Sequence, residues 1–232
     1  MTIQQLYELF ILEQQYRNNT DITIDWYKTQ LQEFFRWLDS DDTEGLSLLH
    51  FKEYGVYLRS LRKRDGSKLS SSSVQGSLRA VKAFYNFCIE QEYIEDFSRH
   101  LKLPRIYKKE KLILEDEEIR ALMSCGSNCR FELRNKCFIT LMLDSGLRRG
   151  EIPRINIADV NLHNHTLLVR GKGGKQRIVP LGSTSAKLLE KHIKSRGSCS
   201  SSEPLFIDMY GKRCTDNLMK QVFQDLKQAS GI

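Results

Sequence analysis

Apolar residues recur at three- and four-residue steps through the first hundred positions, the spacing of one face of a helix. Ile24, Tyr27, Leu31, Phe34, Phe35 and Leu38 form one such series and predict a helix over 24–38; a second is predicted over about 49–62. Gly66 interrupts the pattern, and the run Ser70 to Ser73 supplies N-cap oxygens for a third helix. There Val74, Leu78, Val81, Tyr85 and Cys88 make an apolar stripe, while Gln75, Arg79, Lys82 and Asn86 make a polar one at the same spacing. The periodicity fades around Pro104, so 104–112 is predicted to be a basic linker between a helical domain over 1–103 and a second domain over 113–232. The second domain is predicted to hold helices over 115–124, with acids in its first turn, and over 131–144, the latter stopped at Gly146. Two more are predicted over about 184–195 and 214–229. The clear strand signal is TLLVRG and QRIVPL flanking Gly-Lys-Gly-Gly-Lys, which predicts a β-hairpin with a glycine-rich tip. The fold class is therefore mainly α with a small β-sheet, without internal repeats.

Composition narrows the function classes. The 232 residues are 40% hydrophobic and 28% charged, a balance suited to a globular chain rather than a disordered one. No apolar run approaches the roughly 20 residues needed to cross a bilayer, and the first residues are too polar for a secretion signal, so a cytoplasmic protein with no membrane partner is expected. Six cysteines at irregular spacing predict free thiols. Cys125 and Cys129 form the one pair with metal-ligand spacing, but no second Cys/His pair accompanies them, so no metal site is expected. Lys and Arg total 36 against 29 Asp and Glu, and the excess is clustered. The stretches 59–68 and 100–111 each carry five basic residues against one acid, and 171–177 adds a third cluster. Such clustering favours a nucleic-acid partner over a merely solvated face. For the stripe of Gln75, Arg79, Lys82 and Asn86 both readings stay open: a face that reads a DNA groove, or an ordinary solvated back.

The segment LMLDSGLRRGEI (141–152) places Arg148 just after a glycine break and Glu151 three residues later. Alone, that spacing is a surface ion pair. It also suits an arginine that grips a phosphate through two hydrogen bonds while a carboxylate fixes the guanidinium plane. Gly-Lys-Gly-Gly-Lys-Gln is not an ATP-type phosphate loop, because Val169 and Gln176 stand where that loop needs glycine and a hydroxyl.

At this point the sequence resembles the tyrosine recombinases, the family of phage integrases and Xer-type enzymes. The resemblance is carried by Ser145-Gly146-Leu147-Arg148-Arg149-Gly150-Glu151, then Ile155, Asp159-Val160, Gly171-Lys172-Gly173-Gly174-Lys175-Gln176-Arg177 and Val179-Pro180-Leu181-Gly182, in the family's order and spacing. The N-terminal helices, including Leu78 to Tyr85, are similar to the family's helical, SAM-like core-binding domain. The rest is similar to part of its α+β catalytic domain. Pro153 departs from the pattern, where an apolar helical residue is usual, and implies a helix shortened by a turn.

The resemblance implies attack of a tyrosine on a phosphate of double-stranded DNA, giving a phosphotyrosine link and a free 5′-hydroxyl without metal or nucleotide cofactor. It implies Arg148 as one of two arginines stabilising the pentacoordinate phosphate, Lys172 as general acid with Lys175 in reserve, and Glu151 as a supporting acid. Lys108, Lys109, Lys175 and Arg177 are expected to touch the DNA backbone. A homo-oligomer on DNA is implied for the intact enzyme. The five histidines, at 50, 100, 163, 165 and 192, all lack an arginine three residues on, so these 232 residues do not contain the family's His-x-x-Arg motif. The nucleophilic tyrosine that follows that motif is likewise expected to be missing, and Tyr210 is expected to be structural. On this expectation the chain binds DNA without cleaving it; the alternative role is that of a truncated module occupying recombination sites.

Overall fold

The computed structural model describes residues 1–106, 113–125 and 131–232, apart from the Lys172 side chain. Lys108, Lys109, Cys129 and that side chain therefore lie outside what is described. The chain forms two compact units, Met1–Glu110 and Lys111–Ile232. Among the described residues no helix is long and apolar enough to cross a membrane.

Unit 1 is built from α1 (Ile3–Tyr16), α2 (Asp21–Leu38), α3 (Leu48–Ser60) and α4 (Ser71–Glu90). Each starts behind a hydroxyl cap, at Thr2, Thr20, Ser47 and Ser70, whose oxygen accepts one of the backbone N–H groups left over at a helix start. Thr2 and Gln5 complete a reciprocal capping box. The apolar faces meet in an aromatic core. Phe34 is fully buried with Tyr54 and Tyr85 at ring separations of 4.9 and 6.0 Å, and Phe10 packs edge-on to Tyr27 and Phe84. Gly55 lets α3 approach α4 closely, since a Cβ there would stand 3.3 Å from Leu78 Cδ1. The helix expected to reach 62 stops at Ser60. Leu61 is extended, and Arg62 bridges to Lys68 around a turn whose Gly66 takes φ +77°.

In unit 2, α5 (Asp116–Cys125) and α6 (Glu132–Asp144) precede a three-stranded antiparallel sheet, and α7 (Ser183–Ser195) and α8 (Asp216–Ser230) follow it. The sheet runs β1 (Val160–Asn161), β2 (Thr166–Arg170), β3 (Gln176–Pro180) in that order. The two-residue β1 is too short to leave a periodic signal in the sequence. The hairpin β2–β3 pairs Leu167 with Val179 and Val169 with Arg177, which turns these four side chains to the inner face. Phe138, Leu141, Ile152, Leu167, Val169, Leu189, Phe206 and Met219 fill the core. Where a helix shortened by a turn was expected at Pro153, Ile152–Arg154 forms a single 3₁₀ turn instead.

Candidate active site around Arg148

The site begins where α6 ends. Gly146 takes φ +60°, and the N–H groups of Ser145 and Leu147 both donate to the Leu141 carbonyl, so the chain folds back across the helix end. Leu147 is buried there, and the Arg148 side chain is left exposed. Glu151 closes the next turn through its N–H to the Arg148 carbonyl at 2.9 Å.

The Glu151 carboxylate sits at the centre of the cluster, only 6% exposed. It accepts from the Arg148 N–H at 2.9 Å and from Arg148 Nη1 at 3.1 Å. Both oxygens also accept from the Arg177 guanidinium end-on, Nη1 to Oε1 and Nη2 to Oε2, each at 2.8 Å. The Arg177 fork, helped by the Arg148 bonds, outweighs burial and holds the Glu151 carboxyl down at about 2. Arg148 keeps its side chain 79% exposed. With a single N–H directed at Glu151, the rest of its donor fork is open to a ligand. The arrangement thus presents a cation that is braced from below by a committed carboxylate, which is what recognition of an anionic oxygen pair requires.

The hairpin tip lies beside this cluster. A Cβ on Gly171 would stand 3.6 Å from both Glu151 Oε1 and Arg177 Nη1. Lys172–Gly174 form a 3₁₀ turn with Gly173 at φ +72°, and Lys175 is exposed. Arg177, expected on the DNA backbone, is on the inner face of β3 and bound to Glu151. Lys175 and Arg177 therefore occupy different environments despite their spacing of two.

Three further contacts brace the same turn and the strands, and local spacing gave no sign of them. Arg149 grips Asp216, at the start of α8, through Nε and Nη2 at 3.0 and 2.8 Å. Arg170 holds the buried Asp159 carboxylate in the same two-point way, at 2.8 and 2.6 Å. Asp144 accepts from the Gly182 N–H, and a Cβ on Gly182 would fall 2.5 Å from both carboxylate oxygens, so the last residue of Val-Pro-Leu-Gly is small for a steric reason. Tyr210 is exposed in a turn capped by the Asp208 carboxylate.

In unit 1 the polar stripe of α4 is largely occupied by the protein itself. Gln75 donates to the Pro104 carbonyl at 2.9 Å, and Lys82 donates to the Leu101 carbonyl at 2.6 Å. Arg79 donates to Gln75 Oε1 at 2.7 Å and is the exposed member of the three. The stripe straps residues 101–105 along α4, with Leu101 buried in the aromatic core.

Comparison with known proteins agrees with this architecture. The profile of the phage integrase family matches residues 113–232, and that of the phage integrase N-terminal SAM-like domain matches residues 3–92. Tyrosine recombinase XerD of Oceanobacillus iheyensis is 29% identical over 223 residues, covering 93% of this chain and 74% of that protein. Tyrosine recombinase XerC of Bacillus pumilus is 26% identical over 239 residues, 98% of this chain and 77% of that one. A lambda integrase dimer bound to a COC′ core site shares the fold with a TM-score of 0.76 at 17% identity, over the whole of this chain and 80% of the other. A lambda integrase tetramer bound to a Holliday junction gives 0.75 at 15% identity, over 100% of this chain and 64% of the other. On the match across unit 2 and its SAM-like partner across unit 1, the chain belongs to the phage integrase family of tyrosine recombinases.

Proposed function

We propose that this chain binds double-stranded DNA and serves site-specific recombination, with a backbone phosphate received at Arg148. The observation that carries the reading is the guanidinium of Arg148, open to solvent on one side and braced by the buried Glu151 on the other. In the intact family the reaction is attack of a tyrosine oxygen on the phosphorus, with the 5′-oxygen leaving. The pentacoordinate phosphate carries extra negative charge on its non-bridging oxygens, and a preorganised arginine stabilises it without reorienting. Lys172 is the proposed donor of the proton to the leaving oxygen. Lys175 is its reserve and otherwise a backbone contact, while Glu151 holds Arg148 in place. Lys108, Lys109 and Arg79 are proposed DNA contacts. Arg177 is proposed as a backbone contact through the N–H groups that its two bonds to Glu151 leave over, and as the group that fixes Glu151 beneath Arg148. A cytoplasmic location and assembly as a homo-oligomer on DNA accompany this reading.

The test is replacement of Arg148. Its side chain is exposed, so Arg148→Ala should fold normally yet bind duplex DNA roughly tenfold more weakly, the value of one charge-assisted phosphate contact. Arg148→Lys should recover only part of the loss, since a point charge replaces a two-point fork. The weakening should be equal on every sequence, as a backbone contact requires. An Arg148→Ala chain that binds as tightly as the native one would refute the assignment.

A further inference from the structure

Unit 1 contains a cationic recess of its own. It is a cleft of about 360 Å³ lined by Arg59, Lys68, Leu69, Ser71, Val74, Pro104 and Arg105. Its three cations come from distant parts of the chain: Arg59 from the last turn of α3, Lys68 from the connection to α4, and Arg105 from the tail. They meet because two separate devices fold those segments inward. The bridge Arg62↔Lys68 closes the α3–α4 connection, and the Gln75 and Lys82 bonds to the Pro104 and Leu101 carbonyls pin the tail to α4. Thus the two basic runs that are forty residues apart in sequence converge on one concavity.

No acid is among the described residues that line the cleft. The acid of the connecting turn, Asp65, is committed to Ser67, accepting from its N–H at 2.9 Å and its hydroxyl at 2.6 Å. The ion pairs of unit 1 among the described residues lie elsewhere, at Arg17–Glu13, Arg17–Glu90, Lys28–Asp25 and Arg36–Glu33. Three like charges brought together repel one another, a cost that an anion would relieve. The walls between the cations are apolar at Leu69, Val74 and Pro104, which lowers the local dielectric and strengthens the attraction for an anionic oxygen.

We propose that this cleft seats a phosphodiester of the DNA backbone, with Arg59, Lys68 and Arg105 as its ligands. The proposal rests on the DNA-binding reading above and assigns unit 1 its own phosphate anchor. Gln75 and Lys82 then serve binding indirectly, by holding the tail that carries Arg105.

The experiment compares the native chain with Arg59→Ala/Arg105→Ala on duplexes that carry one neutral methylphosphonate linkage at a time. Both arginines are exposed, so far-UV circular dichroism and tryptophan emission should not change on substitution. The native chain should lose roughly tenfold in affinity at the one or two linkages that enter the cleft, and the double variant should be insensitive at those linkages while keeping its response elsewhere. Its slope of log K against log salt should be shallower by about 1, near 0.9 for the one phosphate released. An unchanged methylphosphonate profile in the variant would overturn the anchor while leaving DNA binding intact. A native chain that binds no duplex would sink both readings. Displacement of DNA by inorganic phosphate at constant ionic strength would assign the cleft to a free anion and overturn the proposal.

Discussion

Replacing Phe34 with alanine should lower the stability of unit 1 by about 3–5 kcal/mol, the cost of deleting a buried phenyl from a well-packed core. Phe34 is fully buried among Phe35, Trp37, Tyr54 and Tyr85, so the loss is not a single contact but the centre of a ring cluster. These neighbours come from α2, α3 and α4, whose rigid backbones leave little scope to close the hole. Both tryptophans of the chain, Trp26 and Trp37, lie in α2, so urea unfolding followed by tryptophan emission reports unit 1 selectively. A midpoint that moves by less than the equivalent of about 1 kcal/mol would mean that the cluster is not packed as described.

Replacing Glu151 with glutamine should destabilise unit 2 by about 2–3 kcal/mol. The carboxylate is buried, and the amide puts an N–H donor where Arg177 and Arg148 present donors of their own. Both arginines reach solvent, which keeps the loss below that of a fully buried ion pair. The same group predicts a pH dependence with a definite sign. Its carboxyl falls from an ordinary 4.5 to about 2 in the folded protein. The stabilisation is therefore complete above pH 4.5 and is lost as the pH drops toward 2, because the unfolded chain takes up the proton first. Glu151→Gln should remove that component of acid sensitivity. Unit 2 contains no tryptophan, so hydrogen exchange of the α6 and β2–β3 amides is the appropriate readout. Equal acid sensitivity in the native chain and the variant would contradict the role given to Glu151.

The helices and the hairpin were legible in the sequence because each carries its own period. The stripe of Ile24 to Leu38 is α2, the serine run caps α4, and the glycine-rich tip joins β2 to β3. The family blocks likewise identified Arg148 and Glu151 as a unit. What escaped was whatever depends on long-range closure. Arg177 lies on the inner face of β3 with the buried Val179, and alternation alone puts it there. A cation on a buried face is nevertheless read as outward until its partner is known, and Glu151 is twenty-six residues earlier. Ile178 is the converse, an apolar residue 71% exposed on the outer face of the same strand. Gln75 and Lys82 were open between two readings for a similar reason. Their acceptors are backbone carbonyls of a tail around Pro104, and nothing in helical periodicity encodes where such a tail returns. The three paired arginines at 149, 170 and 177 share this origin, each meeting a carboxylate from another element.

The most direct measurement is the equilibrium affinity of the native 232-residue chain for duplex DNA across a ladder of salt concentrations, on several unrelated sequences. Basic groups on both units that neutralise phosphates release counterions, and each contact adds about 0.9 to the slope of log K against log salt. With Arg148, Lys175 and the cationic cleft of unit 1 each neutralising a phosphate, the account predicts tight binding at low salt and a slope of roughly −3 or steeper on every sequence. Binding that is undetectable at low salt, or that does not change with salt, would contradict it.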